Sequence, residues 1–175
     1  MVSAFQGIEH ASAGGGSSRN FEPGHYVVRL VGLKVVDSKK RKGTKYAIVE
    51  CSVVSFEAGV RPQEDSSLPP VPVSPTLFMK GDEVAWKVNL AMESALDNMK
   101  AFALAVLKQV TLESGQDAST VQERDITPEV MDTLFAPNGS PAIGIEIRAE
   151  AFNIFTRSGN PFTKMKWSTL PVEGR

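Results

Sequence analysis

The sequence predicts a mainly β protein, a five-stranded barrel of order β-β-β-α-β-β with a helical insertion between its third and fourth strands. Three observations lead there. Two long valine-rich runs, His25 to Val36 and Thr44 to Phe56, are separated only by a short basic turn. Between about residues 93 and 136 the apolar spacing lengthens to three and four residues. Two further runs of strand character, Ala142 to Ala151 and Phe162 to Thr169, follow it and flank the turn Arg157-Ser158-Gly159-Asn160.

The elements can be justified in order. Residues 1–20 contain Gly14-Gly15-Gly16-Ser17-Ser18, a composition that resists packing, and are expected to be a flexible arm ahead of a domain spanning 21–170. No Gly-Lys-Ser/Thr follows the glycines, so they are not a phosphate loop. Pro23-Gly24 signals a turn into the first strand, and Gly32 within that strand marks a bulge or bend. The second strand places Ala47, Val49, Cys51 and Val53 on one face and Tyr46, Ile48, Glu50 and Ser52 on the other. Residues 57–75 carry five prolines and fit no regular element, so they are expected to form a long excursion.

Thr76 to Lys80, the Gly81-Asp82 turn and Glu83 to Leu90 read as a hairpin-like third strand region. Leu96, Met99, Phe102, Ala103, Val106 and Val110 then recur at helical spacing, which predicts an amphipathic helix over about 93–109. Thr127-Pro128 is a cap followed by a first-turn proline, opening a shorter helix that ends by Ala136-Pro137. In the fourth strand Ile143, Ile145 and Ile147 point inward and Glu146, Arg148 and Glu150 outward. Residues 171–175 are a short tail.

Composition bounds the function. Hydrophobic residues at 42% and charged residues at 22% belong to a globular chain of one domain. No apolar stretch approaches the roughly 18 residues of a membrane span, and residues 1–20 lack the pattern of a signal peptide. The lone Cys51 cannot form an internal disulfide and is expected to be a small buried hydrophobe. A cytoplasmic protein, of a host cell if viral, is the expectation.

The net charge of -1 conceals a polarised distribution. From His25 to Ile48 the cations Arg29, Lys34, Lys39, Lys40, Arg41, Lys42 and Lys45 face only Asp37. From Glu113 to Asp132 six acids face only Arg124. Four consecutive cations in a turn repel one another and gain nothing from a core, so a polyanion is the partner that explains them.

The strand order is that of the OB-fold, in which the loops between strands one and two and between strands four and five flank one face. On that plan the first loop carries Lys39, Lys40, Arg41 and Lys42, and the second carries Arg157. Arg29, Lys34, Lys45, Lys87, Lys164 and Lys166 come from the strands. The candidates for stacking nucleobases are Tyr46, Trp86, Phe155 and Trp167, since every base has a π-face. Each aromatic has a competing role in the core. Trp86 alternates with Lys87, and Trp167 with Lys166, so at most one of each pair points inward.

Several short motifs together resemble phage-encoded single-stranded DNA-binding proteins built on an OB-fold. They are Gly24-x-Tyr26-x-Val28, Ser38-Lys39 with Gly43, Val84-x-Trp86-x-Val88-Asn89, the helix from Leu96 to Phe102, and the closing hairpin to Trp167. The resemblance covers about residues 22–170. It implies sequence-tolerant coating and protection of single strands during phage DNA replication or recombination, with replication or recombination proteins as further partners. Many such proteins end in an acidic tail, whereas this chain ends Leu170-Pro171-Val172-Glu173-Gly174-Arg175.

Catalytic chemistry is not expected. His10 and His25 are the only histidines, no Cys/His cluster has metal-ligand spacing, and no Glu-x-Lys tripeptide of a metal nuclease occurs. Neither a metal nor a cofactor is called for. The alternative is a non-enzymatic β-barrel module for assembly or protein interaction in a phage particle or replisome, with residues 57–75 and the arm as contact elements. An exposed edge strand would permit a homodimer.

Overall fold

A computed structural model describes residues 19–58, 78–155, 157–159 and 161–171. The chain is mainly β. Six strands, β1 (Arg19–Asn20), β2 (Gly24–Asp37), β3 (Lys45–Glu57), β4 (Glu83–Asn89), β5 (Glu146–Phe155) and β6 (Pro161–Ser168), form one curled half-barrel sheet. Their order across it is β1-β4-β3-β2-β5-β6, antiparallel throughout except for the β1–β4 pair. Helix α1 (Ala95–Glu113) and helix α2 (Pro128–Leu134) lie between β4 and β5 in the chain.

β2 is the hub, pairing with β3 along its whole length and with β5 along its first half. Tyr26, Val28 and Leu30 alternate inward, while His25 and Arg29 are exposed. The register then slips between Leu30 and Gly32, leaving Val31 as the extra residue of a bulge. The expected glycine bend is there, and its cause is local. A Cβ on Gly32 would run into the carboxylate of Glu50, so the glycine lets that side chain lie across β2.

The core fills the concave side with Val28, Leu30, Val49, Cys51, Val53, Val84 and Ile147, all essentially inaccessible. Burying each such side chain stabilises the fold by roughly 1.5–3 kcal/mol. Cys51 behaves as expected: burial pushes its thiol far above the ordinary value and leaves it unreactive. Phe102 of α1 inserts between Trp86 of β4 and Trp167 of β6, at centroid distances of 5.9 and 5.0 Å. The two tryptophans meet at 5.3 Å. Among the described residues no hydrogen bonds join β4 to β6, so aromatic rings bridge the two strands where a closed barrel would have a ladder. Gln109, buried on α1, accepts a hydrogen bond from Leu170 N at 2.9 Å and ties the chain after β6 to the helix.

Several expectations need correction. The sheet has six strands where five were expected. The sixth, β1, is the end of the supposed arm, whose first 18 residues lie outside the described set, as do residues 59–77 of the proline-rich excursion and the last four of the tail. Phe78 to Lys80 forms no strand. Gly81, at φ +94°, turns the chain, and Asp82 Oδ2 accepts from Met79 N at 2.9 Å and from Arg19 at 2.6 Å. α1 begins two residues late and runs four residues further, and Leu96 is 73% exposed because the buried face runs through Ala95, Met99, Phe102 and Val106 and Leu96 lies off it. Val110 is exposed as well. β5 starts at Glu146, since Gly144 at φ +89° turns the backbone and leaves Ile143 exposed, while Ile147 faces the core as expected, followed by Ala149 and Ala151. The shorter helix falls where Thr127-Pro128 placed it, with Thr127 Oγ1 accepting from Val130 N at 3.4 Å.

Candidate nucleic-acid interface

The turn between β2 and β3 is built to hold cations outward. Ser38 N donates to Thr44 O at 2.7 Å, and Ser38 Oγ accepts from Lys40 N and Arg41 N at 3.3 and 3.1 Å. Gly43 takes φ +82°, a left-handed geometry that glycine adopts without strain. Lys39, Lys40, Arg41 and Lys42 are all exposed, and no hydrogen bond or ion pair engages their side chains among the described residues. The backbone is fixed while the charges stay uncompensated.

Below this turn lies the convex face of the sheet. Cross-strand rows run Val36–Tyr46–Asn89 and Lys34–Ile48–Lys87 across β2, β3 and β4. Tyr46 is half-buried there, Lys45 and Lys87 are exposed, and Lys45 O accepts from Leu90 N at 2.9 Å. Two of the expected cations are already neutralised. Lys34 Nζ lies 2.7 Å from Glu50, and the Arg29 guanidinium bonds Glu146 at 2.5 and 3.1 Å. Exposed pairs of this kind contribute little stability, about 0–1 kcal/mol, yet they cancel charge on this face.

The remaining candidates are dispersed. Arg157 is exposed in the turn after β5, and because β5 is antiparallel to β2, that turn stands at the opposite end of β2 from the basic one. Lys166 sits 5.3 Å from the Phe152 ring, a cation–π distance, and Lys164 is half-buried beside it on β6. Phe155 ends β5, and its side chain lies outside the described residues. Trp167 turns to the concave side against Phe21, Trp86 and Phe102, and its Nε1 is buried without a hydrogen-bond partner. Trp86 points the same way, and in both pairs the neighbouring lysine is the exposed member on the convex side.

The structure therefore gathers the basic turn, Lys45, Tyr46 and Lys87 at one end of the sheet, and separates both tryptophan rings from that face. It also shows a cavity of about 340 Å³ where β4 and β6 fail to pair, lined in part by Tyr46, Trp86, Lys87 and Lys164. Its other polar walls, Asn20, Asn89 and Asn98, come from three separate elements and share no motif. The acidic stretch is elsewhere. α1 starts just after the β4 end that is tied to Lys45 and rises about 28 Å along its 19 residues, carrying Glu113 away from that end, while the chain beyond it returns and places Glu123 beside Asp97 and Lys100 of the helix's first turns.

Among the described residues no group of three or more His, Cys, Asp or Glu could hold a metal ion, and no helix is long and apolar enough to cross a membrane. Neither any family model nor any curated protein matches the chain.

Proposed function

We propose that this protein binds single-stranded DNA through the basic turn and the adjoining convex face, coating and protecting strands during replication or recombination without catalysis. The observation that carries the reading is the turn at 38–44, whose hydrogen-bonded backbone presents four cations with no partner. A phosphate backbone supplies the missing charge at that spacing, and its condensed counterions are released on contact.

Further support comes from the sheet. The order β4-β3-β2-β5-β6 with a helix between β4 and β5 is compatible with an OB-type barrel, an architecture that tracks single strands across its strands two and three. The half-buried Tyr46 shares its face of the sheet with the exposed Lys87 and offers a ring next to a cation, the pairing that base stacking over a charged groove requires. No acid of the segment from Glu113 to Asp132 lines the cavity beside Tyr46 and Lys87.

The test is binding of a labelled thymine oligonucleotide at low and moderate salt, with duplex DNA and RNA as competitors. Tight, salt-sensitive binding that resists duplex is expected. Absence of binding at low salt would overturn the reading and direct the search to a protein partner in a phage particle or replisome.

A further inference from the structure

The opening between β4 and β6 has a chemistry of its own. β1 covers the β4 edge only at Val84 and Ala85, so the edge from Trp86 to Asn89 faces the β6 edge at Thr163–Met165 with no strand between them among the described residues. Strand edges present N–H and C=O groups in the plane of the sheet, where a planar ligand can hydrogen-bond to them.

Three properties of this cavity narrow its occupant. Its size, about 340 Å³, falls at the small end of the range for small-molecule clefts, roughly 300–1,000 Å³. Tyr46 and Trp86 provide aromatic surface on one wall, and Met165 provides apolar surface opposite. Its polar groups are amides, hydroxyls and the two lysines Lys87 and Lys164, with no carboxylate among the described lining residues, although the chain carries 20 acids. The contrast with the other cavity, between α1 and the end of β6, is direct: that one mixes Asp97 and Glu123 with Lys100 and Lys108 and selects no charge.

Aromatic surface, neutral amides and a lining without acids fit a nucleotide, with the base stacked on one ring at the seam and the phosphate at Lys87. Tyr46, which lines the cavity, stands two residues after Thr44, where the basic turn closes. We propose that one nucleotide of the bound strand inserts its base into the seam between β4 and β6, with Asn20 and Asn98 in reach of the base edge. This inference rests on the single-stranded DNA reading and adds to it a discrete subsite able to distinguish bases.

Two measurements test it. Ser94 lines the cavity at the start of α1, is exposed, and makes no capping bond, so Ser94→Phe fills the seam without removing a helix cap. Affinity for the thymine oligonucleotide should fall at least about fivefold while the salt slope flattens by no more than about 0.7, since one base stack and at most the Lys87–phosphate contact are lost. In parallel, the wild-type protein is titrated with thymidine 5′-monophosphate or with inorganic phosphate while amide and indole resonances are followed. The nucleotide should shift the Trp86 indole and the Asn20 and Asn98 side-chain amides, and phosphate alone should not.

Oligonucleotide binding that survives Ser94→Phe unchanged would overturn the seam site and leave the function standing. So would nucleotide shifts confined to the basic turn, or equal shifts with phosphate. If Ser94→Phe does not fold, the wild-type titration decides alone. No oligonucleotide binding by the wild type would remove the functional reading itself, and the seam site with it.

Discussion

Replacing Lys39, Lys40, Arg41 and Lys42 together with alanine is the perturbation from which the interface can be read most directly. The four side chains are exposed and make no ion pair or hydrogen bond among the described residues, and the turn is held by Ser38, Thr44 and Gly43 instead. Native stability should therefore change by no more than about 0.5 kcal/mol. The effect on binding follows from counterion release. Each phosphate neutralised on a single strand contributes about 0.7 to the slope of log affinity against log salt, so four contacts contribute close to 3. Over a fourfold rise in salt these contacts account for a loss of about 50-fold in affinity, and the variant should no longer show that loss. Fluorescence anisotropy of a labelled thymine oligonucleotide at several salt concentrations measures both slope and intercept. A variant that folds normally and keeps the wild-type slope and affinity would refute the assignment of the turn as the contact.

Other predictions draw on single residues. Glu50→Gln removes the carboxylate 2.7 Å from Lys34 and frees a cation on the convex face, so oligonucleotide affinity should rise and the salt slope steepen by up to about 0.7. Unchanged binding in that variant would show that Lys34 lies off the path. Phe102→Ala should lower unfolding free energy in urea by about 3–5 kcal/mol, because the fully buried ring touches Trp86, Trp167 and Phe135. A loss under 1 kcal/mol would mean that the rings between β4 and β6 do not hold the half-barrel together. Tyr26 and Cys51 are buried groups that couple folding to alkaline pH, and Tyr26 can be tested by itself. Burial raises its phenol well above the ordinary value of about 10, with the hydroxyl donating to Glu22 O at 2.7 Å. The folded state thus favours the protonated form, so Tyr26's contribution is complete below pH ~10 and is lost as the unfolded chain ionises at higher pH. Stability should fall on alkaline titration, less so in Tyr26→Phe, and an equal fall in both would remove Tyr26 as the cause.

How much of this was legible in the sequence depended on whether the cause was local. The alternation in Thr44 to Phe56 assigned Ala47, Val49, Cys51 and Val53 to the core correctly, because a strand's two faces need no knowledge of its partners. Gly32 and Thr127-Pro128 were legible for the same reason. Where a neighbour decided, the reading ran out. Glu50 and Glu146 could not be recognised as partners of Lys34 and Arg29 until the register was known, and Arg29 and Glu146 lie 117 positions apart. The alternation of tryptophan with lysine left open which member faced inward, and the shared contact with Phe102 supplies the answer. Leu96 satisfied the helical period but lies off the face that Ala95, Met99 and Phe102 bury, which the spacing alone did not distinguish. The seam amides Asn20, Asn89 and Asn98 carried no signal, since each is unremarkable in its own segment.

The central position of β2 has a consequence for how the chain acquires its fold. β2 and β3 are joined by a tight turn and can zip together early, as can β5 and β6. The joint between the two hairpins cannot, because it must close a loop of more than a hundred residues before any of its ladder forms. Folding should therefore be slow for the chain's length, with docking of the second hairpin as the late step. During synthesis the β2–β3 hairpin emerges well before Glu146, so the flank of β2 carrying Val28 and Leu30 stays bare for most of translation. Any segment able to mimic β5 in that interval, including the same strand of a neighbouring nascent chain, competes for the place, and the yield of native protein should depend on temperature and expression rate more than its final stability suggests.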